Sequence, residues 1–351
     1  MVQAVKPLRI DPSCYRYQAM IGVGGIGSGT FFALNGNHTL GREESRGGRF
    51  LDRRDYCKLH IISHYVHTLL GPPFSTIPIG KVGDDQVGKG LIAEMEADGL
   101  SVQYVKCCPG QQTLFSFCFV YPDGSGGNMT TDDSACSKVD AAFVGKAKPA
   151  FARFDGQGVA LAAPEVPMDA RRALLRLGAK YHFFRVASFT SGEMMTAMEA
   201  GILSDVDLLA INIDEAAVAT QLPSIETPPQ TIVEAAIERL RGINPDLLIS
   251  ITAGKRGSWS WNGDSLAHVP KYEAEVQSTA GAGDAHLAGI IVGLVAGLPL
   301  PEAQELGTLI AALSVTSLHT IHKGIDRESL HLFAKESKAP ICDNVRRLLE
   351  S

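Results

Sequence analysis

The sequence predicts an α/β protein: a mostly parallel sheet with helices on both faces, three layers in all, plus a small additional β-sheet. Three observations carry this expectation. Strand-like and helical runs alternate from residue 159 onwards, the rhythm of parallel strands joined by covering helices. Hairpin-like material before residue 135 breaks that rhythm. A composition of 45% hydrophobic and 20% charged residues over 351 positions suits a globular chain with a sizeable core.

Residues 20–23 read as a short buried strand that runs into a glycine cluster at 22–29. Helical spacing over 56–70 stops at Gly71-Pro72-Pro73. A strand is expected at 76–79 and an amphipathic helix at 85–98, closed by Gly99. Residues 113–121 are aromatic and β-branched, and Pro122-Asp123-Gly124 turns them back as a hairpin. Strands at 159–161, 182–186 and 208–211 lead to helices at 169–178, around 193–200 and at 215. A helix over 231–241 precedes a strand at 247–252, and Asn262-Gly263 joins 259–261 to 266–269 as a tight hairpin. Helices at 284–296 and 302–318 follow. With no internal repeat or low-complexity linker, residues 1–351 are expected to form one domain.

A net charge of −6 offers no basic field for nucleic acid or an anionic membrane surface, so neither partner is expected. The longest apolar run, 287–300, is too short to span a bilayer and contains three glycines. Seven cysteines without metal-binding spacing read as reduced thiols. No apolar segment follows Met1–Pro7 in the manner of a secretory leader, so a cytoplasmic location is expected.

Three glycine-rich segments could hold phosphate, and they imply different chemistry. Gly22-Val-Gly-Gly-Ile-Gly27 is a literal G-x-G-x-x-G after a strand, with Glu43 and Glu44 about twenty positions on. That spacing would suit a nicotinamide-dependent oxidoreductase if a helix followed, but β-formers follow instead. The second, Gly83 to Gly90, is one residue short of a P-loop, and two aspartates stand where amides should face phosphate. The third is Ser278-Thr-Ala-Gly-Ala-Gly-Asp284, opening an apolar helix. Small residues there let an anion approach amides at the positive end of a helix dipole. A carboxylate in such a turn makes sense as an acceptor of a proton from an attacking hydroxyl, or as a plain helix cap.

Ala280-Gly281-Ala282-Gly283-Asp284 resembles the D-T-x-G-A-G-D signature of the ribokinase-like, or PfkB-type, carbohydrate kinases. Residues 79–88 look like that family's G-x-V-G-x-D-x-x-G segment, 212–215 like its N-x-x-E motif, and 252–257 like its T-x-G-x-x-G turn. The likeness runs from about residue 20 to about residue 324. It implies an ATP-dependent kinase acting on a small-molecule hydroxyl, with Asp284 as general base and the amides of Gly281, Ala282 and Gly283 around the transferring phosphoryl group. It further implies Asn212 and Glu215 as water-mediated partners of Mg²⁺, where a helix cap is the alternative. Thr252, Gly254 and Gly257 would line the nucleotide. Gly307 would lie in a small-residue helix beside the adenine, unless it serves packing alone. The resemblance also implies a β-rich lid from about 24–50 and 110–135, a homodimer through that lid, and a monovalent cation such as K⁺.

The acceptor half departs from the pattern. The family's strand-end aspartate falls on Gly29, Ser278 replaces the opening aspartate of the signature, and His286 stands where an aromatic is common. Gly48 belongs to a Gly-Gly pair, but Asp55-Tyr-Cys-Lys-Leu-His60 replaces small residues and an asparagine. Asp55, Lys58 and His60 become the candidate substitutes for substrate binding, in a helix whose polar stripe (56, 60, 63, 64, 67) could otherwise face solvent. Cationic side chains here would suit an acidic or phosphorylated acceptor. A ligand sensor without turnover is the further alternative.

Overall fold

The protein is described by a computed structural model covering residues 5–123 and 126–350. Thirteen strands follow in chain order among these residues. They are β1 (Ala19–Val23), β2 (Gly27–Leu34), β3 (Gly48–Tyr56), β4 (Ser75–Gly83), β5 (Tyr104–Cys108), β6 (Leu114–Val120) and β7 (Gly126–Thr130). Then come β8 (Gly158–Ala162), β9 (Phe184–Ala187), β10 (Leu208–Asn212), β11 (Leu248–Thr252), β12 (Ser258–Trp261) and β13 (Leu266–Val269).

Nine of them form one sheet in the order β13-β12-β11-β10-β9-β8-β1-β4-β5. Its pairings from β5 to β11 are parallel, and the β12–β13 hairpin adds an antiparallel edge. β1 and β8 are buried at every position, as a sheet covered on both faces requires. Two apolar cores result, one on each face. The helices Lys58–Leu70, Ala282–Val295 and Leu300–Ser314 fill the first, while Met168–Lys180 and Pro229–Arg241 fill the second.

The remaining four strands form the lid, in the order β3-β2-β6-β7. Its second strand reaches Tyr56, so the lid extends beyond the 24–50 segment expected. β3 reads Gly-Arg-Phe-Leu-Asp-Arg-Arg-Asp-Tyr, whose charges hide a strand from any apolar pattern. The helix expected from residue 56 accordingly begins at Lys58. β2 leaves the main sheet four residues after β1, which sets the lid above the carboxyl edge of the parallel strands. Crevices along that edge are where open α/β sheets bind ligands.

Candidate active site

Gly281 caps the helix Ala282–Val295 with φ +79°, and a β-carbon there would stand 2.6 Å from the Thr320 carbonyl oxygen. Only glycine meets both conditions. The Ala282 amide donates back to the Thr279 carbonyl at 3.3 Å, whereas those of Gly281 and Gly283 stay unpaired among the described residues. Of the three amides expected to face a phosphoryl group, one is therefore already engaged. Asp284 sits in the first helical turn with its side chain 14% exposed, and burial holds its carboxyl above the ordinary carboxylate range. Lys58 Nζ lies 3.6 Å from Asp284 Oδ1, and that charge holds the ammonium above its usual value.

Glu165 completes this floor and carries no motif in the sequence. It follows β8 in a left-handed conformation, φ +74°, and accepts the Lys58 backbone N–H at 3.3 Å. Burial pushes its carboxyl up to about 7, against the lowering effect of Lys58. A β-carbon on Gly25 would collide with the Glu165 carboxylate. The glycine cluster thus makes room for Glu165 and runs straight into strand β2, with no helix to receive a pyrophosphate. The oxidoreductase reading falls on that geometry.

A carboxylate stands across the lid strands from Gly29, that of Asp55. The two residues are cross-strand partners in the β2–β3 register. A β-carbon on Gly29 would stand 2.9 Å from Asp55 Oδ2 and would also collide with Ser116. Asp55 accepts hydrogen bonds from Ser116 Oγ and, at 3.6 Å, from Cys118 Sγ. Burial raises its pKa. A cleft of about 630 Å³ opens between this lid face and the Asp284 turn, walled by Arg49, Arg53, Asp55, Lys58, Glu165 and Asp284 among others.

Several expected residues do not line it, among them Gly29, His60, Gly48 and Gly307. His60 is fully buried against the Tyr56 ring, 4.8 Å between centroids, and burial lowers its pKa to about 3, so it is a neutral core residue. Its polar stripe faces the interior, where His64 pairs with Asp98 at 3.0 Å. Gly48 lies at the far end of β3 opposite Leu34. Gly307 is buried between helices: a β-carbon there would stand 2.6 Å from the His286 carbonyl oxygen, so its smallness serves packing.

The nucleotide motifs gather on neighbouring strands. Asn212 and Thr252 end β10 and β11 and are register partners. Asn212 caps the helix Ile213–Thr220, accepting from the Asp214 and Glu215 amides at 2.9 Å, while Glu215 accepts from the Asn212 amide at 2.6 Å and from Nδ2 at 3.0 Å. The capping alternative is therefore realised. Glu215 nonetheless feels the charges of Lys58 and Asp284, and burial raises it to about 7. Gly254 (φ +53°) and Gly257 (φ +86°) shape the turn after β11. Asp85, in the segment that mimics a P-loop, caps the helix Gln86–Ala97 and takes both N–H and Oγ1–H of Thr113, at 2.7 and 2.6 Å, which ties the base of β6.

No described helix is long and apolar enough to cross a membrane. A family model described as pfkB family carbohydrate kinase matches residues 67–326. An uncharacterised sugar kinase of Escherichia coli (strain K12) is 30% identical over 41% of this chain and 43% of its own length. The chain thus spans less than half the length of that relative in the match. Ribokinase of Schizosaccharomyces pombe is 25% identical over 68% of this chain and 72% of its own. Among solved structures, ribokinase from Cryptococcus neoformans var. grubii serotype A in complex with ADP superposes with a TM-score of 0.72, 17% identity, and 91% and 99% of the two chains covered. Adenosine kinase from Sinorhizobium meliloti gives 0.68 at 20% identity, covering 92% and 99%. At these identities the likeness to solved structures speaks for the fold.

Proposed function

We propose that this chain, which belongs to the PfkB family of carbohydrate kinases, transfers the γ-phosphate of ATP to a hydroxyl of a sugar-like acceptor, with Asp284 as the base. The observation that carries this reading is the turn itself: a desolvated carboxylate on the cleft floor, one residue from an unpaired amide at a helix N-terminus. The acceptor oxygen bonds to the γ-phosphorus, the bond from phosphorus to the ADP oxygen breaks, and the hydroxyl proton passes to Asp284. The Gly281 and Gly283 amides would stabilise charge on the phosphoryl oxygens, which is most of what phosphoryl transfer asks of a protein. Lys58, 3.6 Å from the base, would keep it ionised until the acceptor hydroxyl arrives. Asp55 and Glu165 offer carboxylate acceptors for further hydroxyls. Thr252, Gly254 and Gly257 would border the nucleotide.

The residues suit Mg²⁺ held through water. Both Glu215 oxygens are engaged by Asn212, and no group of three His, Cys, Asp or Glu forms a cage among the described residues. Mg²⁺ commonly keeps its waters and takes its other ligands from substrate phosphates. When bound, it would neutralise charge on the phosphates. The monovalent cation stays an expectation, checked by exchanging K⁺ for Li⁺ in the assay.

The test is ADP release from MgATP across neutral sugars, sugar acids, sugar phosphates and nucleosides. Asp284→Asn is expected to lower turnover roughly 10²–10⁴-fold while ATP binding persists, the range for loss of a general base. Near-normal turnover in that variant would remove the mechanism. Acceptor binding without turnover in the wild type would favour the sensor.

The lid's outer face supports a homodimer. Phe32, Phe50 and Phe117 pack ring to ring there, with centroids 5.1–6.4 Å apart, and Phe50 is 68% exposed. Such a patch on a lone chain invites a partner. Light scattering should give twice the chain mass, reduced to one by Phe50→Ser; a monomeric wild type would refute the pairing.

A further inference from the structure

The two ends of the acceptor cleft differ in charge. Its floor holds three carboxylates, Asp55, Glu165 and Asp284, and one ammonium, Lys58, already paired with Asp284. Its lid wall holds Arg49 and Arg53. Both line the cleft together with Leu51 and Asp55, Arg53 from the bulge where the β2–β3 register shifts. Among the described residues, neither guanidinium makes an ion pair or a hydrogen bond; Arg53 only rests over the Phe31 ring, 5.9 Å from its centroid. Two other arginines of the lid segment are paired: Arg54, on the opposite face of β3, meets Glu94 at 2.8 Å, and Arg46 meets Glu44 at 2.6 Å.

The contrast points to a ligand. A half-buried guanidinium without a carboxylate, in a chain whose net charge is −6, is an incomplete pair. Arginine's planar fork fits carboxylate and phosphate with two parallel hydrogen bonds. Arg53 stands two positions from Asp55, and both line the cleft. A sugar-sized molecule reaches from one to the other.

Resting on the kinase reading above, we infer that the acceptor is a hydroxylated compound already carrying an anionic group, held by Arg53 with Arg49 drawing it in from the cleft mouth. Its hydroxyl end lies toward Asp55, Glu165 and Asp284, and its carboxylate or phosphate toward Arg53 and Arg49. The anionic class expected from Lys58 and His60 is retained, but the residues that select it change: Lys58 is engaged with the base, and His60 is buried and neutral.

The experiment combines calorimetric binding with ADP release, using sugar acids, sugar monophosphates and the parent neutral sugars. One anionic series should bind and turn over far better than its neutral parents, and which of the two does so identifies the group as carboxylate or phosphate. Arg53→Gln should raise the dissociation constant and KM for that compound about 10- to 100-fold, the loss of a charge-assisted pair. The effect should fall on the acceptor's KM rather than on that of MgATP, and Arg53→Lys should restore part of it. Arg49→Gln should act less strongly and mainly at low salt. If an anion binds through Arg53 but no phosphate is transferred, the kinase reading fails and the subsite stands. If a neutral sugar is the best acceptor and Arg53→Gln leaves its KM unaltered, the kinase stands and the subsite is refuted. Failure of every anion to bind the wild type also refutes it.

Discussion

On one side of Asp284 the cleft is made of main chain, and on the other of side chains. In the proposed reading the nucleotide would lie along the Gly281–Gly283 turn, the loop from Gly254 to Gly257, and the ends of β10 and β11, whose Asn212 and Thr252 stand in register. The acceptor would meet side chains instead: the carboxylates and guanidiniums of β3, the carboxylate of Glu165 after β8, and the Lys58 ammonium, all of which line the cleft. Main-chain geometry depends on glycines at fixed spacing along one segment. Side-chain geometry depends only on where an atom ends up, so several backbone positions can supply it. Gly29 and Asp55 illustrate this, because adjacent strands present one small volume from two sides.

The strongest challenge to the comparison is Gly281→Val. A left-handed conformation costs a branched residue roughly 1–3 kcal/mol, and the Thr320 carbonyl leaves no room for a β-carbon. Turnover should fall at least about 10²-fold, as for a lost oxyanion donor, with the melting temperature lower by several degrees. A variant that keeps full rate would mean that the turn does not hold the phosphoryl group.

Next in size is the carboxylate exchange. Asp55→Asn should raise the acceptor's KM about 10- to 100-fold with little change in KM for MgATP. The double variant Gly29→Asp/Asp55→Gly should not recover it, because Ser116 occupies the space a side chain on β2 would need. Recovery would make the two strands interchangeable and weaken the structural reason for the exchange. In the same assays Glu215→Gln should raise the Mg²⁺ concentration for half-maximal rate; an unaltered requirement would leave Glu215 with its cap alone.

The same distinction explains what the sequence disclosed. The parallel sheet, the hairpin at Asn262-Gly263 and the glycine turns at 254–257 and 281–283 were legible because each is a local pattern of apolar period or glycine spacing. β3 was not, since a strand written in Arg and Asp has no apolar alternation, and with it went the face that bears Arg49 and Arg53. Glu165 lacks any motif; a carboxylate just beyond a fully buried strand was the sole available hint. His60 misled for the opposite reason, because a histidine on a core-facing helix looks polar in sequence yet is neutral once buried.

The smallest expected effect separates a carboxylate kept for function from one kept for the fold. Burial lifts Glu165 from the ordinary 4.5 to about 7. The native state therefore holds a proton that the unfolded chain has already released between those values, and stability falls as pH rises through that window. Below about 4.5 both states are protonated and the group is neutral in effect; above about 7 the loss is complete. Glu165→Gln removes this contribution, so the melting temperature of the variant should gain on the wild type from pH 5 to pH 8, while acceptor binding weakens. Such opposed changes are the mark of a group retained for its ligand. Parallel loss of stability and binding at every pH would instead assign Glu165 to the framework that holds Lys58 and Gly25 together.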